Sequence, residues 1–509
     1  MEKRTTSDSE PRIQALASEI RTLREQQRML AQQLDQVKHN QERRLRLQAE
    51  QLQQLQSVLG DFLQSPAGRL GYGFNRIGTL FGNLGEYARI FFAAVRREGI
   101  ISALKRTGQY FRPCPPALMP PGSKNLALQE LYETLDAWIQ ERELRGLAIL
   151  PSAFEFEPLY NQRTINFARY LSDQGFGVLY VAWQWSPAQS LEKSYQNVYG
   201  SIFQVPLYPF RENLPALVRF QGVAAKYFFC TFPPRIFFEA MTQLRQLRFS
   251  IAYDLMDDWE EFHANQQAPW YVRDLEEALV LNADVVFAVS EPLRQKFAHL
   301  REDIQVIGNG YDPAQLGPPN QALRAPAEDG RIHIGYFGHL TEAWFDWELI
   351  FALLAARENI FLHLIGYGAP ESQLKQLDRW DRAIYHGKVE PSALHEQVAQ
   401  WHLGIIPFRH SKLAEAVDPI KVYEYLHFGL PTLVTGIPHI GRYPSVRYCR
   451  DLGELCREID RYDPKDPPES EPIARFLAES TWARRFHQML ACMASEHNFL
   501  GGLIAGKEP

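Results

Sequence analysis

Several features that would place a chain outside ordinary globular proteins are missing here. The five cysteines, Cys114, Cys230, Cys449, Cys456 and Cys492, are odd in number, scattered through 509 residues and never in a C-x-x-C pair. That scatter argues against a disulfide framework or a zinc site and predicts cysteines that serve as core residues. No run of 18 uncharged apolar residues occurs, and the first 30 residues are polar and charged, so neither a spanning helix nor a signal peptide is expected. The expected location is the cytoplasm. A D-x-D triplet that could hold a divalent ion against a diphosphate is absent, as are a Walker loop, a G-x-S-x-G elbow and a full G-x-G-x-x-G. Metal chemistry is therefore not expected.

Charge is divided unevenly. Residues 1 to 112 carry 18 Lys and Arg against 11 Asp and Glu, which leaves 36 against 49 in the remainder. A body with a net charge of −13 is a poor partner for nucleic acid. From Ile13 to Leu59 apolar or Gln positions recur at alternating steps of three and four, with one extra step of four between 37 and 45. This is the pattern of a coiled coil with a stutter, and residues 1–62 are expected to form a homo-oligomer through it. Gln27, Gln41 and Gln48 on the seam weaken the pairing. Residues 66–112 combine aromatic and aliphatic residues with eight Arg and Lys against two Glu. Leu80, Leu84, Tyr87, Ile90, Phe91, Ala94 and Val95 follow helical spacing, so this cationic, two-faced segment suits either an anionic membrane surface or packing on the body. The stretch PCPPALMPPG at 113–122 reads as a linker, and a helix from about 124 to 143 follows.

From Leu147 short apolar runs alternate with amphipathic segments. LAILPS, GVLYVAW, IFQVP, KYFFCTF, FSIAYD, VVFAVS and IQVIGN read as strands; after a Pro- and Ala-rich break at 313–329 the alternation restarts with IHIGYF, IFLHLIG, AIYHG, LGIIPF and TLVT. Such alternation predicts parallel strands covered by helices on both faces, with ligands outside the carboxyl ends of the strands. The expected fold class is α/β, with two Rossmann-like domains facing a cleft and a long coiled coil before them. The boundaries read from the sequence are 1–62 for the coiled coil, 63–145 for the basic helices and linker, 146–325 and 326–480 for the two α/β domains, and 481–509 for a last helix and tail, capped by Ser480 or Thr481.

One stretch combines both ends of a helix with chemistry. In DPIKVYEYLHFGLPTLVT, residues 418–435, Asp418 is placed to cap a helix starting at Pro419, Gly429 to close it, and Pro431 to precede a strand. Lys421, Glu424 and Phe428 share one face, which sets a cation and a carboxylate near the positive helix end. That pairing suits a phosphate beside a sugar diol, and equally a surface ion pair. In the first domain Arg163 starts the helix after the first strand, where it could meet an acceptor or a phosphate. Asp254, Asp257 and Asp258 sit at the carboxyl end of FSIAY, close enough to raise one another's pKa, so either Asp254 or Asp257 is the expected catalytic carboxylate.

Read together, NADVVFAVSEPL (282–293), VIGNGYD (306–312), IGYFGHL (334–340), the 418–435 stretch and the terminal Thr481, Trp482 and Arg485 resemble, in order and spacing over about 330 residues, the GT-B glycosyltransferases of the family 4 type. NQRTINFARYLSDQGFGVLYVAW and YDLMDDWEEF are similar to a subset of bacterial polysaccharide transferases. The resemblance implies a metal-independent hexosyltransferase with no cofactor beyond a nucleotide diphosphate sugar, retention at the anomeric carbon, and a glycan or lipid-linked acceptor at the inner membrane face. It implies that Glu424 binds the donor ribose hydroxyls, that Lys421 faces the diphosphate with Asp418, Gly338 and His339 near it, and that the backbone at Val389 meets the base. Two departures from the family pattern stand out. Ala416 replaces a second glutamate eight residues before Glu424, and His339 replaces the Arg after Gly338, with EAWFDWEL in place of a Lys-Gly segment. A nucleotide-sugar epimerase and a catalytically degenerate scaffold of a glycan assembly complex share this fold and remain alternatives.

Overall fold

The computed structural model describes residues 126–141, 144–158, 160–317, 327–390, 393–463 and 470–505, with side chains to position 494. The expected coiled coil, the basic segment and the Pro-rich linker lie outside the described residues.

Two sheets carry the fold. The first is built from β1 (Gly146–Ser152), β2 (Phe176–Ala182), β3 (Gln196–Tyr199), β4 (Ile202–Pro206), β5 (Ala225–Cys230), β6 (Ser250–Leu255), β7 (Val285–Ala288) and β8 (Gln305–Val306), in the order β3-β4-β2-β1-β5-β6-β7-β8. All neighbours are parallel except β3, which runs antiparallel to β4 at the edge. β1, β2, β4 and β6 are buried at every position, as strands covered by helices on both faces must be. The sequence reading missed β3 because QNVY is polar and mostly exposed, and only its edge pairing makes it a strand.

The second sheet contains β9 (Ile332–His339), β10 (Ile360–Tyr367), β11 (Ala383–Tyr385), β12 (Leu403–Pro407), β13 (Thr432–Thr435) and β14 (Val446–Tyr448), all parallel, in the order β11-β10-β9-β12-β13-β14. In both sheets the chain winds outward from its first strand, then returns to that strand's other side. The order therefore reverses between β1 and β5 and between β9 and β12, and a crevice opens at the carboxyl ends there.

Two segments pass between the domains side by side. Tyr311 N–H donates to Ser480 O (3.2 Å) and Trp482 N–H to Tyr311 O (3.0 Å). A Cβ on Gly310 would stand 2.8 Å from Ser480 O, which explains the second glycine of VIGNGYD. Thr481 Oγ1 accepts from Arg484 N–H (3.3 Å) at the start of the helix Trp482–Ala505. That helix returns to the first core. Phe486 stacks on Phe167 with ring centres 4.7 Å apart and on Trp482 at 5.1 Å, while Met489 and Met493 are fully buried. Each such side chain contributes about 1.5–3 kcal/mol through burial. Among the described residues, no helix is long and apolar enough to cross a membrane.

Candidate functional site

The second domain contributes the helix Ile420–His427. Its end matches the sequence reading. Gly429 has φ +68°, its N–H bonds Leu426 O (3.0 Å), and Leu430 N–H bonds Tyr425 O (2.9 Å), which satisfies the last carbonyls. Its start does not. The residue before the first turn is Pro419, with no side-chain cap, and Asp418 is turned away and buried. Asp418 Oδ2 accepts from Asn309 N–H (2.6 Å) and the Tyr423 hydroxyl (2.7 Å), and Oδ1 accepts from the Tyr443 hydroxyl (3.2 Å). Asn309 Nδ2 donates to the Asp418 carbonyl (2.7 Å). Asp418 thus anchors the helix start to the interdomain segment instead of capping the helix or facing a donor. A Cβ on Gly308 would lie 2.7 Å from the same carboxylate, so this approach also requires glycine.

Lys421 and Glu424 stand one turn apart on that helix, and Phe428 is buried in the second core. The Lys421 side chain crosses the end of β9. Gly338 has φ +137°, and a Cβ there would meet Lys421 Cε at 2.0 Å. The ammonium lies 5.7 Å from the centre of the Tyr336 ring and has no hydrogen-bond partner among the described residues. Burial lowers its pKa, and Glu424 offsets part of that. Glu424 is 8% exposed; burial raises its carboxyl pKa, while Lys421 and a hydrogen bond from Asn161 Nδ2 (2.7 Å) to Oε1 lower it. His339 lies at the tip of β9, exposed overall but with its ring 4.8 Å from that of Tyr367, and this partial shielding from water, followed by the Lys421 charge, lowers its pKa. Gly366 (φ +139°) is the register partner of Gly338, and a Cβ on it would lie 1.8 Å from Gly338 O. Three glycines, with Gly368, thereby clear the carboxyl ends of β9 and β10. Val389 is half-buried against the second core past β11.

The first domain changes two assignments. Asp254 lies inside β6, not after it, and is 1% exposed. Arg163 grips it through Nε (2.8 Å to Oδ2) and Nη2 (3.0 Å to Oδ1), while Nη1 reaches Gly308 O (3.0 Å) and Asn309 Oδ1 (3.3 Å), and Nη2 also meets Met489 Sδ (3.4 Å). All five guanidinium donors are used inside the protein, so the expected acceptor or phosphate contact of Arg163 has no donor to make it. A bidentate buried pair likewise removes Asp254 from the cleft. Asp258 caps the helix Trp259–Ala264 and pairs with Lys296. Asp257 is the remaining acid. It is half-buried, its carboxyl has no hydrogen-bond partner among the described residues, and its pKa is pushed up to about 7 by burial, then by Asp258 and Asp254, with Arg163 opposing.

At position 416 the alanine is buried, and its carbonyl accepts from Ser290 Oγ across the domains (2.5 Å). The adjacent Glu415 is exposed. The helix Lys412–Ala416 packs on the first-domain helices Trp259–Ala264 and Glu291–Phe297, and Phe262 meets Trp344 at 5.5 Å. Sequence reasoning did not single out Asn161, Asn309, Tyr443 or Ser290 for this junction. Local signals were present at Asn161, a polar residue in the loop after β1, and at Ser290, which caps the helix Glu291–Phe297.

No protein-family model matches the chain. The Bacillus subtilis (strain 168) protein named "Putative teichuronic acid biosynthesis glycosyltransferase TuaH" is 23% identical over 175 residues, 33% of this chain and 44% of that protein. The chain thus spans less than half the length of this relative. A solved trehalose-6-phosphate synthase, studied for glycosyl transfer with retention, superposes with a TM-score of 0.50 at 13% identity, covering 69% of this chain and 99% of that one. The fold is GT-B. Anabaena HepE in complex with UDP-glucose shows 14% identity and a TM-score of 0.49, covering 69% of this chain and 99% of that one. In the GT-B frame, Lys421, Glu424, Gly338 and His339 gather at the second domain's carboxyl edge, and Asp257 follows the same edge of the first.

Proposed function

We propose that the chain is a glycosyltransferase that moves a sugar from a nucleotide diphosphate sugar to a bacterial surface glycan or lipid-linked acceptor, with retention. One observation carries the reading. A lysine and a buried glutamate, one turn apart, sit beside strand ends cleared by glycine, where a diphosphate and a ribose diol need a cation and a carboxylate acceptor. The TuaH similarity supports a surface glycan as the product. Lys421 meets the diphosphate, Glu424 accepts from the diol, His339 stands beside the phosphates, and the Val389 backbone faces the base. Asp257 is the acid that exchanges a proton near neutral pH. The amino-terminal coiled coil joins copies of the chain, and residues 66–112 hold it at an anionic membrane.

The test is turnover with a panel of nucleotide sugars. Glu424→Ala is expected to lower kcat/KM at least tenfold through the donor KM; unchanged turnover would sink the assignment. The buried alanine at 416, which has no carboxylate where the family pattern has a glutamate, favours a second reading, a GT-B scaffold that binds without transfer. Nucleotide binding with no product from any donor and acceptor pair is its signature.

A further inference from the structure

Asn161 belongs to the loop between β1 and the helix Arg163–Asp173, and its carboxamide is engaged at both ends. Oδ1 accepts from Trp482 Nε1 (3.0 Å) and from Asn166 Nδ2 (2.9 Å), while Nδ2 donates to Glu424 Oε1 (2.7 Å). An indole N–H can only donate, so the amide oxygen must face Trp482 and the NH2 must face Glu424. Turning the amide over would break both bonds to its oxygen and set that oxygen against a carboxylate. Asn161 and Glu424 lie in different domains, 263 positions apart. Separating the domains would break their bond and leave the Glu424 carboxylate to water; bringing them together removes that water. A buried carboxylate without a partner is costly, and the Asn161 amide supplies the donor that water gave up.

We infer that Asn161 is the positioning residue for Glu424, holding one carboxylate oxygen across the closed cleft so that the remaining lone pairs face a vicinal diol. This rests on the reading of Glu424 as the diol ligand. The acceptor count allows it: the amide occupies one lone pair of Oε1, leaving one there and two on Oε2, enough for two hydroxyls. Lys421 is the charged group that acts on the same carboxylate, and Trp482 and Asn166 set the amide's direction.

Calorimetry on the full chain tests this, using a panel of nucleoside diphosphates together with the 2′-deoxy and 3′-deoxy forms of whichever binds tightest, from pH 5.5 to 8.5. Asn161→Leu, similar in size with nothing to donate, is expected to weaken the ribonucleotide about tenfold. The deoxy forms should change much less, so discrimination between them and the ribonucleotide shrinks. The loss should grow toward low pH, because Glu424 without the amide takes up a proton sooner. Trp482→Phe keeps the stacking but frees the amide, and should give a smaller loss of the same kind. Asn161→Asp, nearly isosteric, sets two carboxylates together, should lose more than the leucine variant, and carries the test if that variant does not fold. Equal losses for ribo and deoxy forms, or an unchanged pH profile, would overturn the positioning role while leaving the Glu424 reading intact. A wild-type chain that binds the panel without preference for an intact diol would overturn that reading, and the inference with it.

Discussion

Asp257 and Arg163 carry ordinary side chains in unusual surroundings, and each leads to a measurement. The folded-state pKa of Asp257, about 7, lies far above its ordinary value of 3.8, so the folded protein holds a proton that the unfolded chain releases. Stability from this group is therefore full below about pH 4 and declines as the pH rises toward 7. Asp257→Asn is expected to raise stability at pH 8 by roughly 2 kcal/mol and to leave it unchanged at pH 4, as read by urea unfolding across pH. If the group exchanges a proton in turnover, the same variant loses activity while gaining stability. Arg163 behaves in the opposite way. Arg163→Met strands the Asp254 carboxylate in the core and should cost about 3–5 kcal/mol, with the double variant Arg163→Met, Asp254→Leu losing less than the sum of the single changes. A phosphate-binding arginine would weaken nucleotide binding at little cost to stability, so the pair of measurements separates the roles.

Among the elements, the end of β9 and the start of the helix Ile420–His427 depend on one another. The lysine lies over Gly338 only because no Cβ stands there, and φ +137° would strain any other residue. Gly338→Ala is expected to destabilise the protein by about 1–3 kcal/mol and to weaken nucleoside diphosphate binding in parallel, because Lys421 must move. Thermal unfolding with and without ligand reads both effects. The helix itself was legible in the chain: its face, its closing glycine and the strand after it follow from local rules of spacing and φ. So were twelve of the fourteen strands, since a strand covered on both faces must be apolar along its length. β3 and β14 (Val446–Tyr448) escaped because QNVY and VRY break up their few apolar residues with polar ones, whereas the equally short edge strands β8 and β11 were marked by the apolar residues of IQVIGN and AIYHG.

At the scale of the described body, two largely parallel sheets with the same winding bring their carboxyl ends toward one crevice, and the last helix returns to the first core. Residues 1–112 carry 18 Lys and Arg against 11 Asp and Glu, the reverse of the balance in the remainder. Deleting residues 1–112 should leave nucleoside diphosphate affinity within about twofold of the full chain, yet abolish flotation with anionic liposomes if residues 66–112 bind the surface. Equal flotation of both forms would remove the membrane role.

By itself the sequence determined the two-domain α/β order, the helix that carries Lys421 and Glu424, and the acidic group after β6, because periodicity and glycines act over a few residues. It also marked Ala416 as an absence. Only the tertiary structure decided what Arg163, Asp418 and Asn161 do. Their partners lie 91, 109 and 263 positions away, at Asp254, Asn309 and Glu424. A charged or amide side chain reads the same in a sequence whether it faces a ligand or another part of the chain; burial and the direction of its donors tell the two apart, and both are set by packing between distant elements.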